Sequence, residues 1–286
     1  MKRKNILLFL IMIVGLLVGV VVKGNAVSER EMYEIHIPRA SQTFIEKTSD
    51  CEIDLSNLTK GYVMVKHFEE EQKMVFEILG PDGGKERYTL HDSNKYYTIP
   101  LTRGNGDYQL TMYKKIEGTK YETVLVEAFY TSLYDDKSPF LNPNINVWFT
   151  ENSNCVLKAN ELINEKDSNQ EVVEKLYDFV LKTLEYDFEK KESVPSGYIP
   201  DPDNVMFDGN AICYDYASLL TAMIRSQGIP AQLCVGDVKD EYHAWVRWFD
   251  GEDWRILDPT LGDSNSAYKT KLFVENADNY QIKHIY

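Results

Sequence analysis

The hydrophobic pattern changes period near the middle of the chain. From residue 27 to about 135, short runs rich in β-branched and aromatic residues recur. Gly61–Lys66, Lys73–Leu79, Arg87–Leu90 and Tyr96–Ile99 read as strands, and Tyr108–Tyr113 and Thr123–Phe129 alternate apolar with polar positions. Pro81-Asp-Gly-Gly84 and Asn105-Gly106 supply turns between them. Strands at this spacing predict an antiparallel β-sandwich, with an immunoglobulin-like arrangement as the expectation. No catalytic cluster is evident in this half, so a binding or spacer role fits it.

Residues 136–149, within the Asp- and Pro-rich stretch that begins at Asp135, read as a linker. Beyond it the period lengthens. Val156–Glu165 and Glu171–Glu185 predict helices, and Val172, Leu176, Phe179, Val180 and Thr183 make a buried stripe on the second. Lys190 to Asn210 reads as a long loop, a feature often tied to function. It leads into GNAICYDYASLLTAMIRSQGIP, residues 209–230, whose apolar or small residues at Cys213, Tyr216, Ala217, Leu220, Met223 and Ile224 predict one face of a helix. Strands return at Ala231–Val235, Tyr242–Phe249 and Trp254–Leu257. The expected fold class is therefore α+β, a sandwich over 27–135 followed by a mixed domain over 150–286.

Composition narrows the functional classes. The 286 residues carry a formal net charge of −14 and are 43% hydrophobic, as expected of a folded protein. A surface this acidic repels phosphate backbones and argues against nucleic-acid partners. Residues 1–26 stand apart, with Lys2, Arg3 and Lys4, then an uncharged run of seventeen residues from Ile6 to Val22, then Gly24-Asn25-Ala26. This is the pattern of a signal peptide cut after Ala26, or of a short membrane anchor, and either places the remainder outside the cytoplasm, secreted or anchored. Cys51, Cys155, Cys213 and Cys234 are too scattered for a disulfide framework, although Cys51 with Cys155 is one conceivable pair. No CxxC occurs, and Asp201, Asp203 and Asp208 lack the spacing of an EF-hand loop. Neither a metal nor a cofactor is predicted.

Cys213 admits two readings. On the apolar face of a helix it is a small hydrophobe. At the start of that helix, after Gly209-Asn210, unpaired N–H groups and the helix dipole lower a thiol's pKa and favour a nucleophile. A thiolate nucleophile also needs an acid–base partner. Of His36, His67, His91, His243 and His284, only His243 lies within the mixed domain and away from the terminus. Asp250-Gly251 predicts a two-residue hairpin turn that would set Asp258 directly opposite His243. A four-residue turn would keep them on one face as diagonal neighbours, and a three-residue turn would separate them unless a bulge intervened.

These residues sit in Gly209–Ala217, Arg225–Pro230, Tyr242-His-Ala-Trp245 and Trp254–Thr260, with Tyr186-Asp187 and Tyr198–Asp201 upstream. In that order the stretches resemble the transglutaminase-like superfamily, whose core is related to papain-like cysteine proteases, over roughly residues 150–286. The resemblance implies Cys213 as nucleophile, His243 as general acid and base, and Asp258 as the group orienting the imidazole. It also implies an aromatic contact to the oxyanion or substrate, for which Tyr198 is the candidate. The implied activity is attack on a glutamine side-chain amide or a peptide bond of a protein or peptide substrate. The resulting thioester is released to water or to a primary-amine acceptor. The competing expectation is a non-catalytic extracellular adhesion or scaffold protein whose β-domain holds a cell-surface partner.

Overall fold

The computed structural model describes residues 32–260 and 277–286, so the expected leader at 1–26 lies outside the described residues. Among the described residues no helix is long and apolar enough to cross a membrane.

The N-terminal half builds two antiparallel sheets. β1 (Ile45–Lys47), β2 (Cys51–Asp54), β3 (Tyr62–His67) and β6 (Tyr97–Pro100) form one, in the order β1-β2-β3-β6. β5 (Lys85–Leu90), β4 (Met74–Leu79), β7 (Gly106–Glu117) and β8 (Lys120–Thr131) form the other, in the order β5-β4-β7-β8. Two sheets of four differ from the four-plus-three of a constant-type immunoglobulin domain. Strand side chains alternate between faces, so Ile53, Val63, Val65, Phe76, Ile78, Leu110 and Met112 meet in one buried core. The intervening residues Val75, Thr89 and Tyr113 fall on the opposite face of the second sheet, where register sets Val75 beside both Thr89 and Tyr113. Runs of β-branched and aromatic residues, and alternation in β7 and β8, exposed most of these strands to sequence reading. That reading missed β1 and β2, which are only three and four residues long.

Segment 136–149 is packed against its surroundings. Phe140 is buried edge-on to Trp254, the Ile145 N–H donates to the Thr98 carbonyl, and the Asn142 carbonyl accepts from the Arg225 guanidinium.

The C-terminal half follows as α1 (Asn154–Leu162), α2 (Asn169–Thr183), β9 (Glu185–Tyr186), α3 (Phe188–Ser193), α4 (Pro202–Asp208), β10 (Asn210–Ala211) and α5 (Cys213–Arg225). Then come β11 (Ala231–Val238), β12 (Glu241–Phe249), β13 (Trp254–Leu257) and β14 (Tyr280–Ile285), assembled in the order β13-β12-β11-β14. A Ser168/Glu171 capping box starts α2, whose buried stripe is Val172, Val173, Leu176, Tyr177 and Val180, with Phe179 and Thr183 half-buried at its edge. The expected long loop contains α3 and α4. Asp187 caps α3, Asp201 caps α4 with Pro202 in its first turn, and Gly209 ends α4 at φ 73°. Asp203 is also a helix-capping group, accepting from the Asn154 and Cys155 N–H groups at the start of α1. α5 is buried around almost its whole circumference, between the helices and the sheet. The Arg225 guanidinium at its end donates to carbonyls of Asn142, Ala231 and Tyr286 and so fastens three separate segments.

Candidate active site

The site forms where the tip of α5 meets the middle of the sheet. Ile212, the residue before the helix, offers no side-chain cap, so the first-turn N–H groups have no capping acceptor from it. Cys213 stands at this tip and is partly exposed, whereas Cys51, Cys155 and Cys234 are buried, and all four are free thiols. The Cys51–Cys155 pairing does not form, because the two residues belong to different cores. Burial pushes the thiols of Cys155 and Cys234 upward, the latter to about 12, which suits them to packing.

His243 projects from β12. Its Nε2 lies 2.9 and 3.1 Å from the two carboxylate oxygens of Asp258, whose side chain is fully buried. Nδ1 is therefore the ring nitrogen not engaged by Asp258, and Cys213 is close enough to act on the ring's charge. Burial is the largest influence on this histidine and lowers its pKa. The hydrogen bonds and charges of Asp258 and Cys213 together outweigh burial and raise it to about 10. A pKa in this range favours the protonated ring at neutral pH.

The expected two-residue turn does not form. Phe249 pairs with Trp254, leaving a four-residue loop over Asp250–Asp253. The Asp250 carboxylate accepts from the Glu252 and Asp253 N–H groups and meets Arg255, while Gly251 takes φ 108°. The side-chain bonds of Asp250 thus favour the longer loop over an Asp-Gly type I′ turn. Extending that register past β13 places Thr260 opposite His243 and Asp258 on the diagonal. The Thr260 hydroxyl is indeed 3.4 Å from Nε2.

Several partners of this constellation were not visible in the sequence. Asp258 also accepts from the Tyr280 hydroxyl at 2.9 Å, the Thr260 N–H at 3.1 Å and the Thr260 hydroxyl at 3.2 Å. Tyr280 comes from β14, edge-on to Trp245, which is fully buried two residues beyond His243. The parallel bridge of β9 and β10 brings Tyr186 beside the helix tip, where burial and then the neighbouring Cys213 push its phenol up to about 12. Tyr198 lines the cleft over Cys213, but its hydroxyl donates to Asp215 at 2.7 Å. Asp215 is fully buried in the first turn of α5. It also accepts from the Ile212 N–H and pairs with Lys190 at 2.6 Å. Tyr198 therefore sits at the cleft wall with its hydroxyl committed. No spacing rule links Tyr186, Asp215 or Tyr280 to the cysteine, because each arrives through tertiary packing.

Comparison with known proteins gives one family match. Residues 158–259, which include Cys213, His243 and Asp258, match the model of the transglutaminase-like superfamily. No curated protein matches the chain. Among solved structures, the chain is similar to a Cytophaga hutchinsonii protein proposed to be a cysteine protease, at 15% identity and TM-score 0.39, covering 76% of this chain and 78% of that one. It is similar to LapG of Legionella pneumophila, at 17% identity and TM-score 0.31, covering 36% of this chain and 59% of that one. It is also similar to red sea bream transglutaminase, at 13% identity and TM-score 0.32, covering 72% of this chain and 48% of that one. Residues 158–259 thus carry a transglutaminase-like superfamily fold within the chain.

Proposed function

We propose that the chain is a cysteine-dependent acyl-transfer enzyme that works outside the cytoplasm on a protein or peptide substrate. Cys213 is the nucleophile, His243 the acid and base, and Asp258 the orienting carboxylate. The thiolate attacks the carbonyl carbon of a glutamine side-chain amide or a peptide bond, and its electron pair forms the C–S bond. The negative charge that develops on oxygen faces the N–H groups at the tip of α5. Nδ1–H of His243 protonates the nitrogen as the C–N bond breaks, leaving a thioester and a neutral imidazole. That imidazole then takes a proton from water or from a primary amine. The new nucleophile expels the thiolate, and the product is an acid or a new amide.

The observation that supports this reading is the double contact of Nε2 with a buried carboxylate, which leaves Nδ1 as the ring nitrogen free to serve Cys213. The leader pattern at 1–26 supports the location. The first test is intact-mass detection of an acyl adduct on Cys213 with glutamine-containing peptides, followed by competition between water and a primary amine. Cys213→Ala should abolish both adduct and turnover. Turnover that survives the substitution refutes the assignment. A thiol that reacts with iodoacetamide at neutral pH no faster than a model thiol favours the scaffold reading instead.

A further inference from the structure

The acyl-transfer reading leaves the substrate open, and the cleft above Cys213 bears on it. The cleft has a volume of about 890 Å³ and runs between the two halves of the chain. One wall holds Cys213, Tyr242 and His243; the other is the outer face of the sandwich sheet at Val75, Thr89 and Tyr113. The segment at 194–199 closes one end and lies against the sandwich, since a Cβ on Gly197 would come within 3.3 Å of the Thr89 hydroxyl.

Among the described residues the charged side chains along this cleft have one sign. Lys73, Arg87 and Lys191 line it, and no described Asp or Glu does. That is a sharp departure for a chain with 45 acidic and 31 basic residues. All three cations are exposed. Among the described residues Lys73 and Lys191 have no ion-pair partner, while Arg87 shares Glu77 with Lys85 and lies over the Tyr113 ring. Two carboxylates behind the walls are already neutralised, Asp215 by Lys190 and Glu86 by Arg103. At physiological salt, screening over about 8 Å makes these local cations outweigh the acidic remainder of the surface within the cleft.

We propose that the cleft takes an acidic peptide segment, an Asp- or Glu-bearing stretch lying across the outer face of β5, β4 and β7. Lys73, Arg87 and Lys191 contact its carboxylates, and the tyrosines of the walls pack on its apolar parts. This rests on the acyl-transfer reading for the carbonyl presented to Cys213, but the binding itself does not need the reaction. The sandwich is then half of the substrate site rather than a spacer.

The test uses the chain from residue 27 to 286 with Cys213→Ser, so that nothing turns over. Fluorescence anisotropy with hexapeptides of one frame, rich in Glu, Gln or Lys and carrying the same neutral dye, measures affinity. Three screened contacts, each worth a few-fold, predict that the Glu peptide binds about tenfold tighter than the Gln peptide. The advantage should shrink in 0.5 M salt and reverse in the Lys73→Glu, Arg87→Glu, Lys191→Glu variant, whose folding is checked by thermal melting. A Glu peptide that binds no tighter than the Gln peptide overturns the proposal. So does a preference that survives the triple reversal, which would locate binding elsewhere. Iodoacetamide labelling of the unmodified enzyme runs in parallel. Fast labelling without an acidic preference removes only this inference, and an acidic preference with an inert thiol removes only the acyl-transfer reading.

Discussion

Replacing Asp258 by Asn tests the proposed chemistry most directly, because the two side chains differ by one atom at a fully buried position. The carboxylate accepts from Nε2 of His243 and Tyr280 on one oxygen, and from Nε2 and Thr260 on the other. An amide keeps only one accepting oxygen. With that oxygen on the Thr260 side, the NH₂ group points at His243 and Tyr280. It donates to Nε2, which must then be bare, and the ring proton moves to Nδ1. In the proposed chemistry that nitrogen serves Cys213, and it can then no longer take the thiol proton. The ring also loses the strongest of the influences that raise its pKa, so burial pulls the value down from about 10 toward the ordinary 6.5, with Cys213 alone still opposing it. An imidazole returned to the ordinary value is only roughly 3% protonated at pH 8, where the parent ring is nearly all protonated. Together with the wrong tautomer, the expected loss in kcat/KM is about 10³–10⁴-fold. The alkaline limb of the pH–rate profile should move from near pH 10 down toward pH 6.5. Iodoacetamide labelling of Cys213 against pH gives the same limb without a substrate. Stability follows the same group. Its folded pKa lies above the unfolded value, so its contribution is full below about pH 6.5 and is lost as pH rises through about 10. The gap between parent and variant in urea melts should therefore narrow from pH 6 to pH 10. A loss under threefold, with the limb still near pH 10, would refute the orienting role.

Tyr280→Phe removes one of the hydrogen bonds to Asp258 and should cost about 0.5–1.5 kcal/mol of stability, with a several-fold fall in kcat and little change in KM, read by steady-state kinetics and urea melts. Gly236→Ala would set a Cβ 2.0 Å from the Gln281 carbonyl oxygen, so β14 must shift; a loss of about 1–3 kcal/mol and a lower Tm are expected, and an unchanged Tm would contradict the close approach. Asp215→Ala leaves Lys190 and the Tyr198 hydroxyl without their buried partner and should cost about 3–5 kcal/mol in denaturant melts.

How far the sequence could be read depended on how locally each feature is encoded. Runs of β-branched and aromatic residues revealed β3 to β6 and alternation revealed β7 and β8, whereas β1 and β2 are too short to stand out as runs. The start of α5 was legible from Gly209-Asn210 and the apolar stripe that follows. The pairing of His243 with Asp258 was legible as a same-face relation, but its register was not. Asp-Gly is a strong two-residue signal, and what defeated it was a side chain that also serves as acceptor for its own loop. Proline and glycine in 190–210 signalled irregular chain, although Pro202 is equally at home in a first helical turn and Asp201 is a capping residue. Tyr186, Asp215 and Tyr280 join the site through contacts between elements, and no local pattern announces them.

β14 has a double allegiance. Its backbone extends the sheet beside β11, yet its flank is gripped by the sandwich: the Thr102 hydroxyl donates to the Ile285 carbonyl, Arg103 donates to the Lys283 carbonyl, and Glu86 takes His284 at 2.6 Å. The same strand carries the tyrosine that steadies Asp258. Grafting a foreign module in place of the sandwich would therefore do more than swap a recognition surface. It would unclamp the rib that steadies Asp258 and, through it, His243, so if the proposed chemistry holds, chimaeras should change turnover along with preference.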